Sequence, residues 1–373
     1  MIIGVLKEIK AKEFRVSAVP ATVAEIVRHG HTVLVEHNAG AGSGFSDAEY
    51  EAAGAEIVAT ADEVYRRADL FYKVKELFPQ EFGYMGPDKI LFTYIHSNAH
   101  PAETDVLLNS KCTAFAYEDV TDDEGKFPLL KPMSLLAGKG GFLAALHHKQ
   151  AVFGGNGTLL ANLVGVETPV ITILGCGVSG VGCAELAAAF GNEVRILDVN
   201  LKAMEEARKH LPNNVTFLIS NRTNLEKCLK ETDVLFNCIM WPKDRKDHIV
   251  YREDLKLMKP GALICDIACD DNGAIETCLS TTHDDPVFTI DGVTHYCVDN
   301  IPSAFSRSAS ILLSTATLPF LLAIADKGPI QALKDNKHLR AGLTCIDGKL
   351  TLKETSLKQN RPWTDINELL PTL

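Results

Sequence analysis

Residues 171–200 read ITILGCGVSGVGCAELAAAFGNEVRILDVN and contain the most specific pattern in the chain. An apolar run leads into three glycines, Gly175, Gly177 and Gly180, in the spacing G-x-G-x-x-G. A segment of small residues with helical spacing follows, and a second apolar run then ends at Asp198. A strand, a glycine turn, a helix and a second strand in this order are typical of a dinucleotide-binding βαβ unit.

Each glycine of this turn has its own physical role. Gly175 permits the tight turn, Gly177 lets the backbone approach a pyrophosphate, and Gly180 keeps a side chain out of the contact between helix and strand. The phosphate would lie at the helix N-terminus, where N–H groups attract anions. Asp198 can accept hydrogen bonds from both ribose hydroxyls and would repel the extra phosphate of NADP, which favours NAD. The alternatives are a turn without a ligand and an FAD or S-adenosylmethionine site.

The composition is that of an acidic globular protein. The chain has 373 residues, a formal net charge of -11 and 46% apolar residues, so it can bury a large core. No basic stretch offers a footprint for nucleic acid. The N-terminus, MIIGVLKEIK, does not fit a signal peptide, and the longest apolar run, residues 311–325, contains Pro319 and is too short for a membrane span. We therefore expect a cytoplasmic protein with no nucleic-acid or membrane partner.

Ten cysteines are scattered along the chain, and none belongs to a C-x-x-C pair. No cysteine–histidine cluster has the spacing of zinc ligands. We interpret the cysteines as small buried residues in a reducing compartment, and we predict no metal site.

Strand and helix patterns alternate along most of the chain. IIGVLKE (2–8) has the pattern of a strand, and PATVAEIVRHG (20–30) has helical spacing. Such alternation predicts an α/β protein with two Rossmann-like domains, each built on a parallel sheet. We expect an NAD-binding domain at residues 130–305 and a discontinuous substrate and catalytic domain formed by residues 1–129 and 306–373. The active site is expected in the cleft between the two domains.

Four further residues have the chemistry that a nicotinamide-dependent reaction needs, namely substrate binding and proton transfer. Lys75 and His96 each end an apolar strand, in FYKVKELFP and LFTYIHSNAH. Arg15 lies in EFRVSAVP, and Asp270 follows a strand in ICDIACDDNGAIE. Taken singly, each residue has a simpler interpretation. Lys75 could be a solvated strand end and His96 a packing histidine. Arg15 could form a surface salt bridge, and Asp270 could be a turn acid.

Motifs along nearly the whole chain resemble the alanine dehydrogenase and pyridine nucleotide transhydrogenase family. They are long, ordered and evenly spread, which makes the resemblance specific. The motifs are IGVLKEIKAKEFRVSAVP, SGFSDAEYEAAGAEI, VKEL, LFTYIH, PLLKPMS, the glycine turn, DVN, LICDIACDDNGAIE, TTHDDP, HYCVDNIP and TLPFLLAIADKG.

The resemblance implies a role for each matched residue. Arg15 and Lys75 would hold the carboxylate and the carbonyl oxygen of the substrate. His96 would be the acid/base, and Asp270 would lie beside the substrate nitrogen and the nicotinamide ribose. The cofactor would be lined by the glycine turn, Asp198, Ser134, Val178, Ser220, Ile267 and Asn300.

The reaction implied by the resemblance is the NAD-dependent oxidative deamination of a small L-amino acid, with L-alanine as the default substrate. Hydride would leave Cα for NAD, water would add to the iminium, and His96 would take and return the proton as pyruvate and ammonia form. A histidine near its unperturbed pKa of about 6.5 can both take and return a proton near neutral pH. The implied partners are the amino acid, its 2-oxo acid and further copies of the chain, because the family forms dimers or hexamers.

Two segments depart from the family pattern. MSLLAGK has Leu135 and Lys139 where the family usually has an acid and an arginine, and NIPS has Ile301 and Ser303 near the expected nicotinamide. The second departure favours opine-type relatives such as N5-(carboxyethyl)ornithine synthase, which reductively condense pyruvate with the amine of an amino acid. A third alternative is an NAD-binding module like the soluble part of a transhydrogenase.

Overall fold

The computed structural model describes residues 1–242, 245–269 and 273–372. Its strands, numbered in chain order, are β1 (Ile2–Val5), β2 (Thr32–Glu36), β3 (Glu56–Val58), β4 (Leu70–Tyr72), β5 (Ile90–Thr93), β6 (Thr113–Ala116), β7 (Val170–Leu174), β8 (Glu193–Asp198), β9 (Val215–Ile219), β10 (Val234–Asn237), β11 (Leu263–Asp266), β12 (Val287–Ile290), β13 (Val293–Tyr296), β14 (Leu343–Ile346) and β15 (Lys349–Leu350). Its helices are α1 (Pro20–Arg28), α2 (Asp47–Ala52), α3 (Ala61–Arg67), α4 (Pro101–Ser110), α5 (Lys131–His148), α6 (Val178–Ala189), α7 (Leu201–Arg208), α8 (Arg222–Glu231), α9 (Ser306–Lys327), α10 (Pro329–Asp335), α11 (Lys337–Ala341), α12 (Lys353–Gln359) and α13 (Ile366–Leu369).

The chain divides into two compact units. Unit 1 comprises residues Met1–Met133 and the chain from Ser306 onward, and unit 2 comprises Ser134–Phe305. Each unit contains one sheet with helices packed against it. The α/β class and the two mostly parallel sheets predicted from the alternating pattern are confirmed.

The sheet of unit 1 has the strand order β15-β14-β6-β5-β4-β1-β2-β3. Strands β1 to β6 are parallel, whereas β14 runs antiparallel to β6 and β15 antiparallel to β14. The chain order reverses between β1 and β4, because β2 and β3 lie on one side of β1 and the later strands on the other. Loops that leave the carboxyl ends of strands at such a reversal diverge and form a ligand-binding crevice in many α/β proteins.

The sheet of unit 2 has the order β12-β13-β11-β10-β7-β8-β9. Its strands are parallel except for the edge strand β12, which pairs antiparallel with β13. Here the reversal falls between β7 and β10, directly beside the glycine turn. The predicted VITIL strand is β7, and all five of its residues are buried, as expected for a central parallel strand covered on both faces.

Polar residues define where several helices begin. Ser46 and Glu49 form a capping box at the start of α2. The side chain of Asn200 accepts a hydrogen bond from the N–H of Ala203 and begins α7, directly after the strand that ends at Asp198. The second predicted strand of the βαβ unit, β8, therefore ends at Asp198, two residues before the cap of α7.

Helix α9 lies in the core of unit 1. Residues 301–327 have the length and hydropathy of a membrane-spanning helix. However, Leu313, Leu321 and Ile324 of α9 are fully buried in the protein, and Ser310 Oγ accepts the N–H of Val16 at 2.9 Å. These contacts identify α9 as a core helix, in agreement with the predicted buried helix.

The cysteines form no disulfide among the described residues, and most of them are buried. In the same residues, no group of three or more His, Cys, Asp or Glu side chains could hold a metal ion.

Candidate active site

Three of the predicted substrate residues follow neighbouring strands of unit 1. Arg15 lies in the loop after β1, Lys75 follows β4, and His96 follows β5. These strands are adjacent and parallel, so their carboxyl ends meet at one edge of the sheet. The fold therefore brings the three residues to the edge where the strand order reverses.

Arg15 is buried, and its guanidinium is held in a fixed orientation. Nε and Nη2 donate to the two carboxylate oxygens of Glu13 at 2.7 and 2.6 Å, and Nη1 lies 3.3 Å from the sulfur of Met133. Burial opposes the charge of Arg15, but the Glu13 carboxylate outweighs burial, and the pKa of Arg15 is raised. Arg15 is thus a permanent cation.

Lys75 is nearly buried, with 9% of its surface exposed. Among the described residues, no hydrogen bond or ion pair joins its ammonium group to another side chain. The pKa of Lys75 is lowered by burial and then by the positive charges of Arg15 and Lys10. A buried ammonium near a second cation is stabilised by an anionic ligand, and a carboxylate fits this requirement.

His96 has a backbone conformation that is uncommon for a residue with a side chain. Its φ of 50° and ψ of 40° lie in the left-handed region, which costs about 1–2 kcal/mol for residues other than glycine. Glu118 stabilises this conformation, since its Oε1 accepts the N–H of His96 at 2.5 Å and that of Ile95 at 3.2 Å. The imidazole stacks on the ring of Tyr94 with a centroid separation of 5.8 Å. Residues held in this region are concentrated at functional sites.

The environment keeps the His96 imidazole neutral. Burial and then the positive charge of Lys75 lower the pKa of His96 to about 3, so the expectation of a histidine near its unperturbed pKa is wrong. The side chain nevertheless keeps 41% of its surface exposed, so water reaches the ring. A neutral imidazole at an edge that also carries two cations can accept a proton from water next to a bound anion.

The sequence pattern gives little indication of the glutamates that hold Arg15, Lys75 and His96 in place. Glu8, Glu13 and Glu118 make the supporting hydrogen bonds and are buried or nearly so. An isolated glutamate is most often a surface residue. Glu8 and Glu118 share one signal, which is a position shortly after a parallel strand ends.

The glycine turn of unit 2 has the geometry that its spacing predicts. Gly175 has a φ of 98°, and a Cβ there would approach the backbone of Cys238 to 3.1 Å. A Cβ at Gly180 would lie 2.0 Å from the carbonyl oxygen of Gly175, so no side chain fits there. A Cβ at Gly177 meets no atom within 4 Å, so the backbone borders open space at that point.

Helix α6 begins with Val178 at the end of this turn, and no side chain caps it. Asp198 lies at the end of β8, where Oδ2 accepts the N–H of Cys176 at 2.5 Å and Oδ1 accepts the N–H of Asn200 at 2.7 Å. Ser220 is joined to the same strand end, because its N–H donates to the carbonyl oxygen of Asp198 at 2.9 Å. Val178, Asp198 and Ser220 are thus brought together at the carboxyl edge of unit 2.

Glycines of α5 bring other predicted cofactor residues close to the helix. A Cβ at three positions would meet a neighbouring atom at 2.7 Å or less: Gly138 against Ser179 O, Gly140 against Ile301 Cγ2 and Gly141 against Ile267 Cδ1. Ser179 Oγ also donates to Ser134 O at 2.9 Å, which places Ser134 beside the first turn of α6. Asn300 is buried directly before Ile301.

Asp270, predicted to lie beside the substrate nitrogen, is outside the described residues. The strand that precedes it, β11, is the neighbour of β10 in the sheet and ends at the same edge as the glycine turn.

Comparison with known proteins identifies the family of the chain. Residues 4–137 match the N-terminal domain of the alanine dehydrogenase/PNT family, and residues 142–353 match its C-terminal domain. The chain belongs to this family.

Individual members of the alanine dehydrogenase/PNT family are similar over the whole chain. The alanine dehydrogenase of Methanococcus maripaludis is 41% identical over 371 residues, which cover 99% of this chain and 100% of that protein. The alanine dehydrogenase of Bacillus subtilis is 41% identical over 353 residues, or 94% of this chain and 93% of that protein. A solved L-alanine dehydrogenase superimposes with a TM-score of 0.92 at 35% identity, covering 96% of this chain and 99% of that one. A transhydrogenase from Sinorhizobium meliloti has the same fold, with a TM-score of 0.80 at 22% identity. The match covers 95% of this chain and 99% of the transhydrogenase chain.

One departure from the alanine dehydrogenase/PNT pattern belongs to the packing of α5 against α6. A Cβ at Gly182 would lie 2.9 Å from the side chain of Leu135, so Leu135 fills the space above this glycine. Lys139 pairs with Glu185 on α6 at 2.5 Å. The two substituted residues thus have partners on the neighbouring helix α6.

The second departure lies in a hydrogen-bonded loop. Ser303 Oγ donates to the carbonyl oxygen of Asn300 at 3.0 Å and lies 3.3 Å from Nε2 of His283. The same histidine nitrogen lies 2.9 Å from Asn300 O. The hydroxyl of Ser303 therefore adds a bond within a loop that carries a predicted cofactor residue.

Proposed function

We propose that this chain is an NAD-dependent amino acid dehydrogenase that interconverts L-alanine with pyruvate and ammonia. The observation that carries the proposal is the edge of unit 1 where Arg15, Lys75 and a neutral His96 follow adjacent strands. Two buried cations suit the carboxylate and carbonyl oxygen of a 2-oxo acid. Identity of 41% to alanine dehydrogenases over nearly the whole chain supports this substrate.

The glycine turn of unit 2 fits the pyrophosphate of a dinucleotide. The backbone at Gly177 borders open space, and the uncapped start of α6 offers N–H groups to an anion. Asp198 at the end of β8 supports NAD over NADP. When bound there, NAD would accept the hydride that leaves Cα of the amino acid. We assign further cofactor contacts to Ser134, Val178, Ser220, Ile267 and Asn300.

The side chains of unit 1 perform the remaining steps. Arg15 and Lys75 hold the carboxylate and the oxygen that becomes the carbonyl, and they stabilise negative charge on that oxygen. After hydride loss the substrate is an iminium, and His96 removes a proton from water as the water oxygen bonds to Cα. His96 then returns this proton to the nitrogen and accepts the hydroxyl proton as the C–N bond breaks, which releases ammonia and leaves pyruvate.

Asp270 completes the proposed set of reacting groups. By its resemblance to the family motif, its carboxylate would accept a hydrogen bond from the substrate nitrogen. We propose this role from sequence position alone.

We further propose that the protein is a homo-oligomer in the cytoplasm. A segment of unit 2 exposes six large apolar side chains, Val152, Phe153, Leu159, Leu163, Val164 and Val166. Exposed apolar surface of this kind is typical of a subunit contact. Light scattering at several concentrations tests the oligomer, and a monomer at every concentration would contradict it.

NADH oxidation with pyruvate tests the reaction. Ammonia is the amine in one assay, and single amino acids replace it in the others. Turnover with ammonia supports the proposed dehydrogenase. Turnover only when an amino acid supplies the amine would instead indicate opine-type condensation, and NADH binding without turnover would indicate a binding module.

A further inference from the structure

The segment that carries Lys75, residues 73–78, is held largely by side chains from other elements. These hydrogen bonds join Lys73 O to Tyr117 Oη at 2.9 Å, Lys75 O to Thr93 Oγ1 at 2.8 Å, Leu77 N to Glu103 Oε1 at 2.7 Å and Phe78 N to Glu81 Oε2 at 2.8 Å. The position of Lys75 is thus fixed by groups outside the segment.

Glu8 makes the bonds closest to Lys75. Its Oε1 accepts the N–H of Val74 at 2.6 Å and the N–H of Lys75 at 3.2 Å. Glu8 follows β1, the neighbour of β4, so it reaches the segment across the point where the strand order reverses. A carboxylate that accepts both N–H groups fixes the peptide planes on either side of Val74, and with them the direction of the Lys75 side chain.

A buried cation holds Glu8 in turn. Lys73 is fully buried, and its Nζ lies 3.5 Å from Glu8 Oε2 and 2.7 Å from Glu81 Oε1. Glu81 also accepts the hydroxyl of Tyr65 at 2.5 Å. Glu8 holds the start of the segment and Glu81 its end, and Lys73 links the two carboxylates.

We propose that Glu8 is a positioning residue for Lys75, and that its buried ion cluster with Lys73 and Glu81 sets where the Lys75 ammonium meets an anionic substrate. This inference deepens the proposed function and rests on it only for the identity of that substrate. The positioning role itself can be measured without turnover.

The first experiment titrates Lys75 by competitive acetylation with acetic anhydride, read by mass spectrometry on the full-length protein. The largest charge effects on Lys75 come from Arg15, Lys10, Glu76 and Glu13. We expect Glu8→Ala to raise the pKa of Lys75 by about one unit, because a released ammonium moves into water and away from Arg15. Loss of the Glu8 charge alone would lower that pKa, so the sign of the shift separates positioning from a charge effect.

Two variants make the titration specific. Glu8→Gln keeps an oxygen that accepts the two N–H groups, so it should restore most of the wild-type titration. Glu36→Gln is the matched control, because Glu36 accepts the N–H of Lys7 at 2.8 Å and makes no hydrogen bond to residues 73–78 in the described structure. It should leave the titration of Lys75 unchanged.

Removing one partner of a buried ion cluster can unfold a protein. If Glu8→Ala does not fold, Thr93→Val replaces it, because this substitution removes the hydroxyl bonded to Lys75 O and keeps the side-chain volume. It should shift the titration in the same direction by a smaller amount. An unchanged or lowered pKa of Lys75 in the folded variant would overturn the positioning role.

The second experiment separates this inference from the proposed function. In the pyruvate and ammonia assay, Glu8→Ala should raise the KM for pyruvate about tenfold and lower kcat, with little change in the KM for NADH. A parallel loss of kcat and of NADH affinity would indicate general damage and would count against positioning. If the wild-type protein fails to reduce pyruvate, the proposed function falls, and the acetylation titration still decides the role of Glu8.

Discussion

The two proposed binding regions are built by opposite means. In unit 2 the glycine turn depends on the absence of side chains, as at Gly180, where an added Cβ would lie 2.0 Å from the carbonyl oxygen of Gly175. In unit 1 polar side chains would bind the proposed substrate, and buried carboxylates fix these residues, as Glu13 does for Arg15 and Glu118 for the His96 backbone. The first region therefore depends on glycines at specific positions such as Gly180, and the second depends on buried hydrogen bonds.

The largest effect is expected from adding one methyl group to the glycine turn. Gly180→Ala should lower the free energy of unfolding by at least about 3 kcal/mol or prevent folding, because the Cβ overlaps the backbone at Gly175. Thermal denaturation measures this effect. The matched variant Gly177→Ala places its Cβ in open space, so it should keep the stability and weaken NADH binding. Equal stability losses in both variants would contradict the comparison.

In unit 1, His96→Gln should lower kcat by about 10²–10⁴-fold, the usual range for loss of a general acid/base. NADH binding, measured by fluorescence, should remain, because His96 belongs to the other unit. His100→Gln is the control, since this neighbouring histidine also has a lowered pKa, caused mainly by burial, and has no proposed role. Near-normal turnover of the His96 variant would exclude the acid/base role.

A selectivity change of about tenfold or more toward NADP is expected for Asp198→Asn, because the substitution removes a negative charge next to the ribose and keeps the shape of the side chain. Asp233→Asn is the matched control. Asp233 accepts the N–H of Val170 at 2.8 Å at the opposite end of β7, away from the glycine turn. Ratios of kcat/KM for NADH and NADPH measure the effect. An unchanged ratio in the Asp198 variant would remove the argument for NAD.

The charge of Lys75 gives a pH dependence with a definite sign. Burial and nearby cations lower its pKa, so the ammonium loses its proton below the ordinary lysine pKa of about 10.4. Pyruvate binding needs the charged form, and kcat/KM for pyruvate should therefore fall as the pH rises through this lowered value. Lys75→Arg should move the fall to higher pH, because arginine stays charged. A profile that is identical in both proteins would show that another group titrates.

The smallest effect is expected for Ser303→Gly. It removes a hydroxyl that bonds within the loop at Asn300, and we expect the KM for NADH to change by about threefold or less. The choice of amine should not change. If the variant instead gained or lost activity with ammonia, this loop would be a determinant of amine specificity, and the opine-type alternative would gain support.

The difference between the two regions also explains which features could be predicted from the sequence. The glycine turn and β7 follow from spacing and apolar runs, which are local properties of the chain. The different roles of Lys73 and Lys75 do not follow from such local properties, because both lysines lie in FYKVKELFP and the pattern does not distinguish them. Their difference arises from Glu8 and Glu81, which lie elsewhere in the chain and enclose only Lys73. The pattern of residues placed Lys75 at the end of an apolar strand, and only the resemblance to the family gave it a substrate-binding role.

The antiparallel edge strand β12 is a second feature that the predicted parallel sheets did not include. The segments that form β12 and β13 have the pattern of strands, but their antiparallel pairing depends on the tight turn at Asp291 and Gly292, both of which have positive φ. A parallel pair would have needed a longer crossover connection.

The glycines of α5 have a consequence for the order of folding. Gly138, Gly140 and Gly141 allow close contact with Ser179, Ile301 and Ile267, but each glycine lowers intrinsic helix stability by about 1 kcal/mol. An isolated peptide of this sequence should therefore be mostly unstructured. We expect α5 to become helical only after the sheet of unit 2 and α6 provide a surface for it, so its amides should gain protection late in a pulsed hydrogen-exchange refolding experiment.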